Sequence, residues 1–297
     1  MSLRWNRSVR MRVGPQAVSA TLARAWPRGA ALAVAQRAPL AFSGSGDHGA
    51  VHPTQPPSQQ PTHQSTQQPA LAPALECALR EIEPVLRDLA SEASIEGARL
   101  RVTLSDALVH LDVIAGDFIG NSDRQLQAIA EACAAELLGE GASDGMGPHE
   151  VRWQLQPGGE HLLVCAVPRA CLAELARAAG ACGLKLASVQ PDFVCQWNAH
   201  AGALKPGATV FAVAASAHVA VAAVINGVIS AISVGASAGA AAPRDALAWL
   251  DARVDRLLTG IGQDLAAQSA FVLVSPDGAV PEPAGRWVVR GQPGATE

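Results

Sequence analysis

Two stretches of this chain follow one plan: three short apolar runs in succession, then an amphipathic helix. In the first copy, runs over 9–14, 18–26 and 30–36 are separated by Pro15-Gln16 and Pro27-Arg28-Gly29, which punctuate strands as turns. Leu75, Leu79, Ile82, Leu86 and Leu89 then fall at helical spacing, and Pro84 predicts a kink. In the second copy, runs over 210–214, 219–225 and 228–234 break at 215–218 and at Asn226-Gly227. Pro243 opens a helix whose Leu247, Leu250, Val254, Leu257 and Ile261 share one face, and Gly262 is its stop. A strand–strand–strand–helix unit used twice is a repeat of architecture more than of identity, and few folds accommodate it.

Between the copies lies a separate αβ unit. Strands are expected over 100–104 and 108–114, around a tight Ser105-Asp106 turn. Ser122 and Gln125 form a capping box ahead of a helix with Leu126, Ile129, Cys133 and Leu137 on its inner face. Strands over 151–156 and 162–167 are joined through Pro157-Gly158-Gly159, and Pro168 begins a helix that Gly183 stops. A strand over 184–189 and a helix over 191–204 lead into the second copy. Strands and helices alternate throughout, so the class is α/β.

The organisation that follows is a first module of strands over 1–42, a loop over 43–73, and the first module's helix over 74–98. An inserted αβ unit with its return helix takes 99–205, and the second module 206–297. The 43–73 tract is rich in Pro, Gln, Ser and Thr and too poor in apolar groups to offset the entropy of ordering.

Composition narrows the class further. Apolar residues are 49% of the 297, enough for a large core, but with no Tyr and five Phe that core must be built from Ala, Val and Leu. The net charge of −4 conceals an asymmetry: seven Arg and no acid precede Asp47, so the remainder carries −11. An acid-free, Arg-rich start is also a transit-peptide feature, but the strand pattern over 9–36 argues for a solvated strand face or attraction to an anionic membrane surface. No secretory signal is expected, since the first residues lack an apolar segment. The six cysteines include no CxxC pair and sit in apolar stretches, which predicts buried reduced thiols and a cytosolic setting. No charge occurs between Lys205 and Arg244, long enough to span a bilayer, yet the Asn226-Gly227 hairpin signal predicts three buried strands there instead of a transmembrane helix.

The duplicated modules with an inserted αβ unit resemble the actin/hexokinase/heat-shock-chaperone superfamily with its ribonuclease H-like modules. Within it they resemble the PilM-type proteins of type IV pilus assembly and the cytoplasmic domain of the type II secretion protein GspL. The resemblance is carried by LLVCAVPRACLAELARAAGACGLKLASVQPDFVCQWN (162–198), by VRMRVGPQAVSATL (9–22) at the place of the first phosphate strand pair, and by VFAVAASAHVAVAAV (210–224) at the second. Nucleotide chemistry in that superfamily needs glycines or hydroxyls that approach phosphate, an acid for a metal or water, and a Gly-rich cradle for adenosine. Here Arg12 stands at the place of the first acid, Pro15 follows Gly14, and the second turn has neither acid nor glycine before Ser216. The segment FVLVSPDGAV (271–280) keeps only Gly278.

The resemblance therefore implies no catalytic residue, no metal and no cofactor, and a cytoplasmic scaffold peripheral to the inner membrane. Its implied partner is the PilN-like cytoplasmic tail of an inner-membrane pilus or secretion protein; no local motif marks the residues that would hold that tail. The alternative is an actin-like ATPase or small-molecule kinase with a divergent site, in which Gly14, Ser216 and Gly278 would touch nucleotide.

Other motifs carry less. Gly235-Ala236-Ser237-Ala238-Gly239 fits a nucleophile elbow, but no His follows His218 to complete the order that fold requires. Gly44 to Gly49 fits GxGxxG without a helix after it. His110 and Asp112 share a strand face but lack a third metal ligand at suitable spacing. His200 and His218 are lone histidines expected to be hydrogen-bonded, and the six scattered Trp lack the basic interleaving of a nucleic-acid platform.

Overall fold

The computed structural model describes residues 7–24, 31–38, 71–138, 147–204, 206–215, 218–236, 250–252, 254–255, 257, 269–275 and 286–290. Two five-stranded sheets dominate it, and they have the same topology. In the first, β1 (Arg7–Val13), β2 (Val18–Arg24) and β3 (Ala31–Arg37) form an antiparallel meander, and β4 (Arg99–Leu104) returns to lie parallel to β1. The first helix, α1 (Leu71–Glu92), precedes β4 and runs through Pro84 without ending there. A later strand, β8 (Lys185–Pro191), extends the sheet beside β4, giving the order β3-β2-β1-β4-β8. The second sheet repeats this as β11-β10-β9-β12-β13, from β9 (Ala208–Ala214), β10 (His218–Ile225), β11 (Val228–Ala236), β12 (Ala270–Val274) and β13 (Trp287–Arg290).

The inserted unit is smaller than 99–205. It is a three-stranded antiparallel sheet in the order β5-β7-β6, from β5 (His110–Ala115), β6 (His149–Leu155) and β7 (His161–Pro168), packed on α2 (Asp123–Leu138). The expected boundary fails at both ends because β4 and β8 belong to the first sheet. Ser105-Asp106 is not a hairpin turn: a helical turn over Asp106–Leu108 carries the chain out of that sheet. The helix α3 (Arg169–Ala181) is the crossover that returns it to β8, and α4 (Asp192–His200) follows. Strand β13 was not anticipated.

Local chemistry explains the elements that matched. Ser122 and Gln125 make the reciprocal cap of α2: Ser122 N donates to Gln125 Oε1 at 2.8 Å, and Gln125 N to Ser122 Oγ at 3.4 Å. The uncharged stretch after Lys205 is three strands because both faces of the second sheet are covered. Val210, Ala212 and Phe271 pack on one side with Leu250 and Val254, while Phe211, Val213 and Val272 pack on the other with Phe193. Strands buried on both faces lose the polar alternation that marks half-exposed ones. No helix of the described residues is long and apolar enough to cross a membrane.

The hairpin between β10 and β11 turns on Asn226 (φ 52°) and Gly227 (φ 81°), the two left-handed residues of a type I′ turn. Gly227→Ala places a Cβ in that conformation, and urea denaturation should show a loss of about 1 kcal/mol. Substituting Asn226 by Gly should change little.

The cysteines are all unpaired, but only Cys171 is fully buried; the other five are partly exposed. Burial still pushes the Cys165 and Cys171 thiols up to about 12, which keeps them protonated and unreactive.

Candidate functional site

A cavity of about 390 Å³ opens where the β1–β2 turn of the first module faces the β9–β10 turn of the second. Its walls include Arg12, Gly14, Gln16, Ser105, Asp192 and His218. The resemblance noted in the sequence would put a phosphate-holding cleft here, and Gly14 and Arg12 are both in it. Ser216 and Gly278 lie outside the described residues, as do Ser237 and the Gly44 to Gly49 segment.

Three backbone donors at this cleft are bonded to the chain's own carbonyls. Gly14 N donates to Ala17 O at 2.9 Å, Ala215 N to His218 O at 2.9 Å, and Ser105 N to Val13 O at 2.8 Å. Pro15 has no N–H to offer. Gly14 does not occupy a left-handed conformation, and a Cβ there would meet nothing closer than Ala17 O at 3.4 Å. A phosphate needs several convergent free N–H groups, and these three are already paired.

The acids are occupied as well. Asp192, at the start of α4, is 2% exposed and accepts from Arg12 at 2.6 Å and from Gln196 Nε2 at 3.3 Å. An arginine at the end of β1, where an acid would hold a metal, has thus become the counter-ion of a buried carboxylate. Asp106 is fully buried, and its two oxygens accept from Phe193 N at 2.9 and 3.0 Å. Burial pushes the Asp106 carboxyl above the usual range.

His218 completes the arrangement from the second module. Its Nδ1 is 3.0 Å from Ser105 Oγ, while Asp106 N lies 3.3 Å and Asp106 Oδ2 3.5 Å from Nε2. Ser, His and Asp side chains therefore meet at the cleft, though 113 residues separate Ser105 from His218. The geometry opposes a nucleophilic triad. A neutral imidazole has one donor and one acceptor nitrogen. With the Asp106 N–H aimed at Nε2, that nitrogen accepts, so Nδ1–H donates to Ser105 Oγ instead of taking its proton. Ser105 Oγ also accepts from Ala107 N at 3.3 Å, capping the helical turn. The arrangement ties β10 of one module to the β4 end of the other.

Sequence reasoning placed His218 as hydrogen-bonded, and it is. It did not single out Ser105, Asp106 or Asp192. A signal existed: Asp106 and Asp192 are acids within apolar tracts, where a charge is retained only with a partner. His200 departs from expectation. Its Nε2 is buried with no hydrogen-bond partner among the described residues, and the ring instead leans on Phe211 at 6.5 Å. His110 and Asp112 share the side of β5 that faces α2, where His110 stands edge-on to His149 and Asp112 accepts from its neighbour Val113 N. No group of three metal-binding side chains assembles among the described residues.

A second cavity, about 400 Å³ and mostly apolar, lies between the inserted sheet and the first module. Leu163, Cys165 and Val167 contribute one wall, Val189 and Val194 the other, and Glu150 and Arg152 line it as well. The Trp153 indole packs on the opposite face of the sheet, donating to Gln127 Oε1 of α2 at 2.8 Å.

No protein-family model matches the sequence, and no curated protein does. Solved structures do resemble it. A chain of the PilM–PilN type IV pilus biogenesis complex aligns at 15% identity and TM-score 0.55, covering 93% of this chain and 83% of that one. The cytoplasmic domain of EpsL, an inner membrane component of the type II secretion system of Vibrio cholerae, aligns at 14% identity and TM-score 0.48, over 97% and 89%. A Bacteroides thetaiotaomicron protein of actin-like ATPase fold and unknown function aligns at 7% and 0.47, over 91% and 82%. Two like sheets, each ordered third-second-first-fourth-fifth, and the match to the pilus-complex chain over nearly the whole length give the fold as actin-like, with an αβ unit inserted into the first module.

Proposed function

We propose that this protein is a non-catalytic cytoplasmic adaptor of a type IV pilus or type II secretion-like machine, peripheral to the inner membrane, that holds a partner's cytoplasmic tail. One observation carries the reading. The cleft that would grip phosphate has its Gly14, Ser105 and Ala215 N–H groups bonded to the chain's own carbonyls, and its buried acid, Asp192, paired to Arg12. Among the described residues, the groups best placed for nucleotide chemistry are thus already engaged. The apolar cavity between inserted sheet and first module supplies a concave surface suited to side chains of an extended segment, with Glu150 and Arg152 able to select charge at its edge. The structural likeness to the pilus complex supports a membrane-protein tail as the occupant.

Calorimetric titration of the full chain tests this with two ligands. Synthetic peptides from the cytoplasmic tails of the pilus or secretion proteins encoded beside its gene should bind, and Val194→Glu, which puts a charge into the apolar wall, should weaken binding more than about tenfold. ATP with magnesium should give no heat and release no phosphate. Nucleotide binding with turnover, in the absence of any peptide binding, would reverse the assignment.

A further inference from the structure

The five strands of the first sheet contain eight Arg or Lys and no acidic residue. Their alternation sends Val9, Met11, Val13, Leu100 and Val102 into the core against α1 and α3, so the intervening residues share the opposite face. There Arg10 lies opposite Arg101 and Arg99 opposite Lys185 in the strand register, with Arg99 and Arg101 two apart on β4. Lateral neighbours in a sheet are about 4.8 Å apart at the backbone. All four side chains are exposed, and none makes an ion pair or hydrogen bond among the described residues.

Like charges directly opposite each other in a sheet are destabilising, and Arg10 facing Arg101 is such a pair. The same face also carries Ser8, Thr21, Gln36 and the exposed Val34, with Arg12 and its partner Asp192 at the cleft end. Neither cavity described above reaches the four cations. Among the described residues, these five strands carry no aromatic side chain to stack on a base. An open array of cations with no stacking platform and no pocket suits a surface of many negative headgroups better than a nucleic-acid strand.

We infer that this face of the first sheet, centred on Arg10, Arg99, Arg101 and Lys185, is a docking surface for anionic phospholipid. It deepens the adaptor reading by naming how the protein lies on its membrane. It does not depend on the tail-binding cavity, which is on a different part of the molecule.

Co-sedimentation of the full chain with phosphatidylcholine vesicles, with and without about one-third phosphatidylglycerol, tests it. Binding should appear only with the anionic lipid and vanish near 1 M salt, where the screening length falls to about 3 Å. Each basic residue at such a surface contributes about fivefold, so Arg10→Gln with Arg101→Gln should weaken binding about 25-fold, while the Arg10→Lys, Arg101→Lys pair should bind like the parent. Equal binding to neutral vesicles, or an unchanged affinity in the double Gln variant, would overturn the inference. So would tighter binding to a DNA oligonucleotide than to the anionic vesicles at the same salt. Because tail peptides are titrated without lipid, a failure here is separable from a failure of the adaptor reading.

Discussion

Asp106→Ala is expected to destabilise the chain by about 1–3 kcal/mol, the cost of leaving a buried hydrogen-bonding group unsatisfied. The carboxylate is fully buried and is the acceptor for Phe193 N, the second residue of α4. Alanine leaves that N–H unsatisfied at a helix start and removes the acid beside His218. Asp106→Asn behaves differently. Its amide oxygen still accepts from Phe193 N, and no charge has to be desolvated, so near neutral pH it should lie within about 1 kcal/mol of the parent. The sign of the pH effect follows from the raised carboxyl. Above about pH 4 the unfolded chain releases this proton while the folded chain retains it, so the acid's contribution to stability falls as pH rises, until the folded group also ionises. Denaturant unfolding of parent and Asp106→Asn between pH 4 and 8 should show the parent losing stability relative to the variant across that window. A difference that grows in the parent's favour would mean the ionised carboxylate is the stabilising form.

The parts of the fold legible in the sequence are those fixed by near neighbours. Asn226-Gly227 turns a hairpin, Ser122 and Gln125 cap α2, and Gly183 takes a left-handed φ of 68° after α3. Their chemistry acts within a few residues. Membership of a sheet does not. Strand β4 alternates Arg99, Leu100, Arg101, Val102 just as β1 alternates Arg10, Met11, Arg12, Val13, but nothing local tells that the two lie side by side. Strand β13 has four residues, too few for a period to register. The candidate site was partly legible, because its departures from a nucleotide-binding pattern are visible as residue types: Pro15 without an N–H, Arg12 where the resemblance expects an acid. What those residues pair with was not. Arg12 meets Asp192 across 180 positions once β1 and β8 share a sheet, and Ser105 meets His218 across 113 once the two modules close on each other.

The second large effect expected is at Phe211, and it concerns what joins α4 to the second sheet. Phe211 is completely buried in β9, and its ring is met edge-on by Phe193 at 5.8 Å and Trp197 at 5.5 Å, both from α4. In a chain with five Phe and no Tyr, where most core positions are Ala, Val or Leu, this is a concentration of large rings in one place. Ala220, Ala222 and Val213 around it are too small to fill a void, and close-packed interiors collapse only partly around a lost side chain. Phe211→Ala should therefore remove about 3–5 kcal/mol, with Tm falling on the order of 10 °C in a thermal melt followed by circular dichroism. Phe211→Leu retains most of the volume and should cost about 1 kcal/mol. Because α4 also carries Asp192 and the Phe193 N–H held by Asp106, loosening its seat on β9 should reach the cleft. Combined with Asp106→Ala, the Phe211→Ala loss should be smaller than it is alone, since each change partly frees the same helix. Strict additivity in that double mutant would show that the ring cluster and the buried acid hold α4 independently.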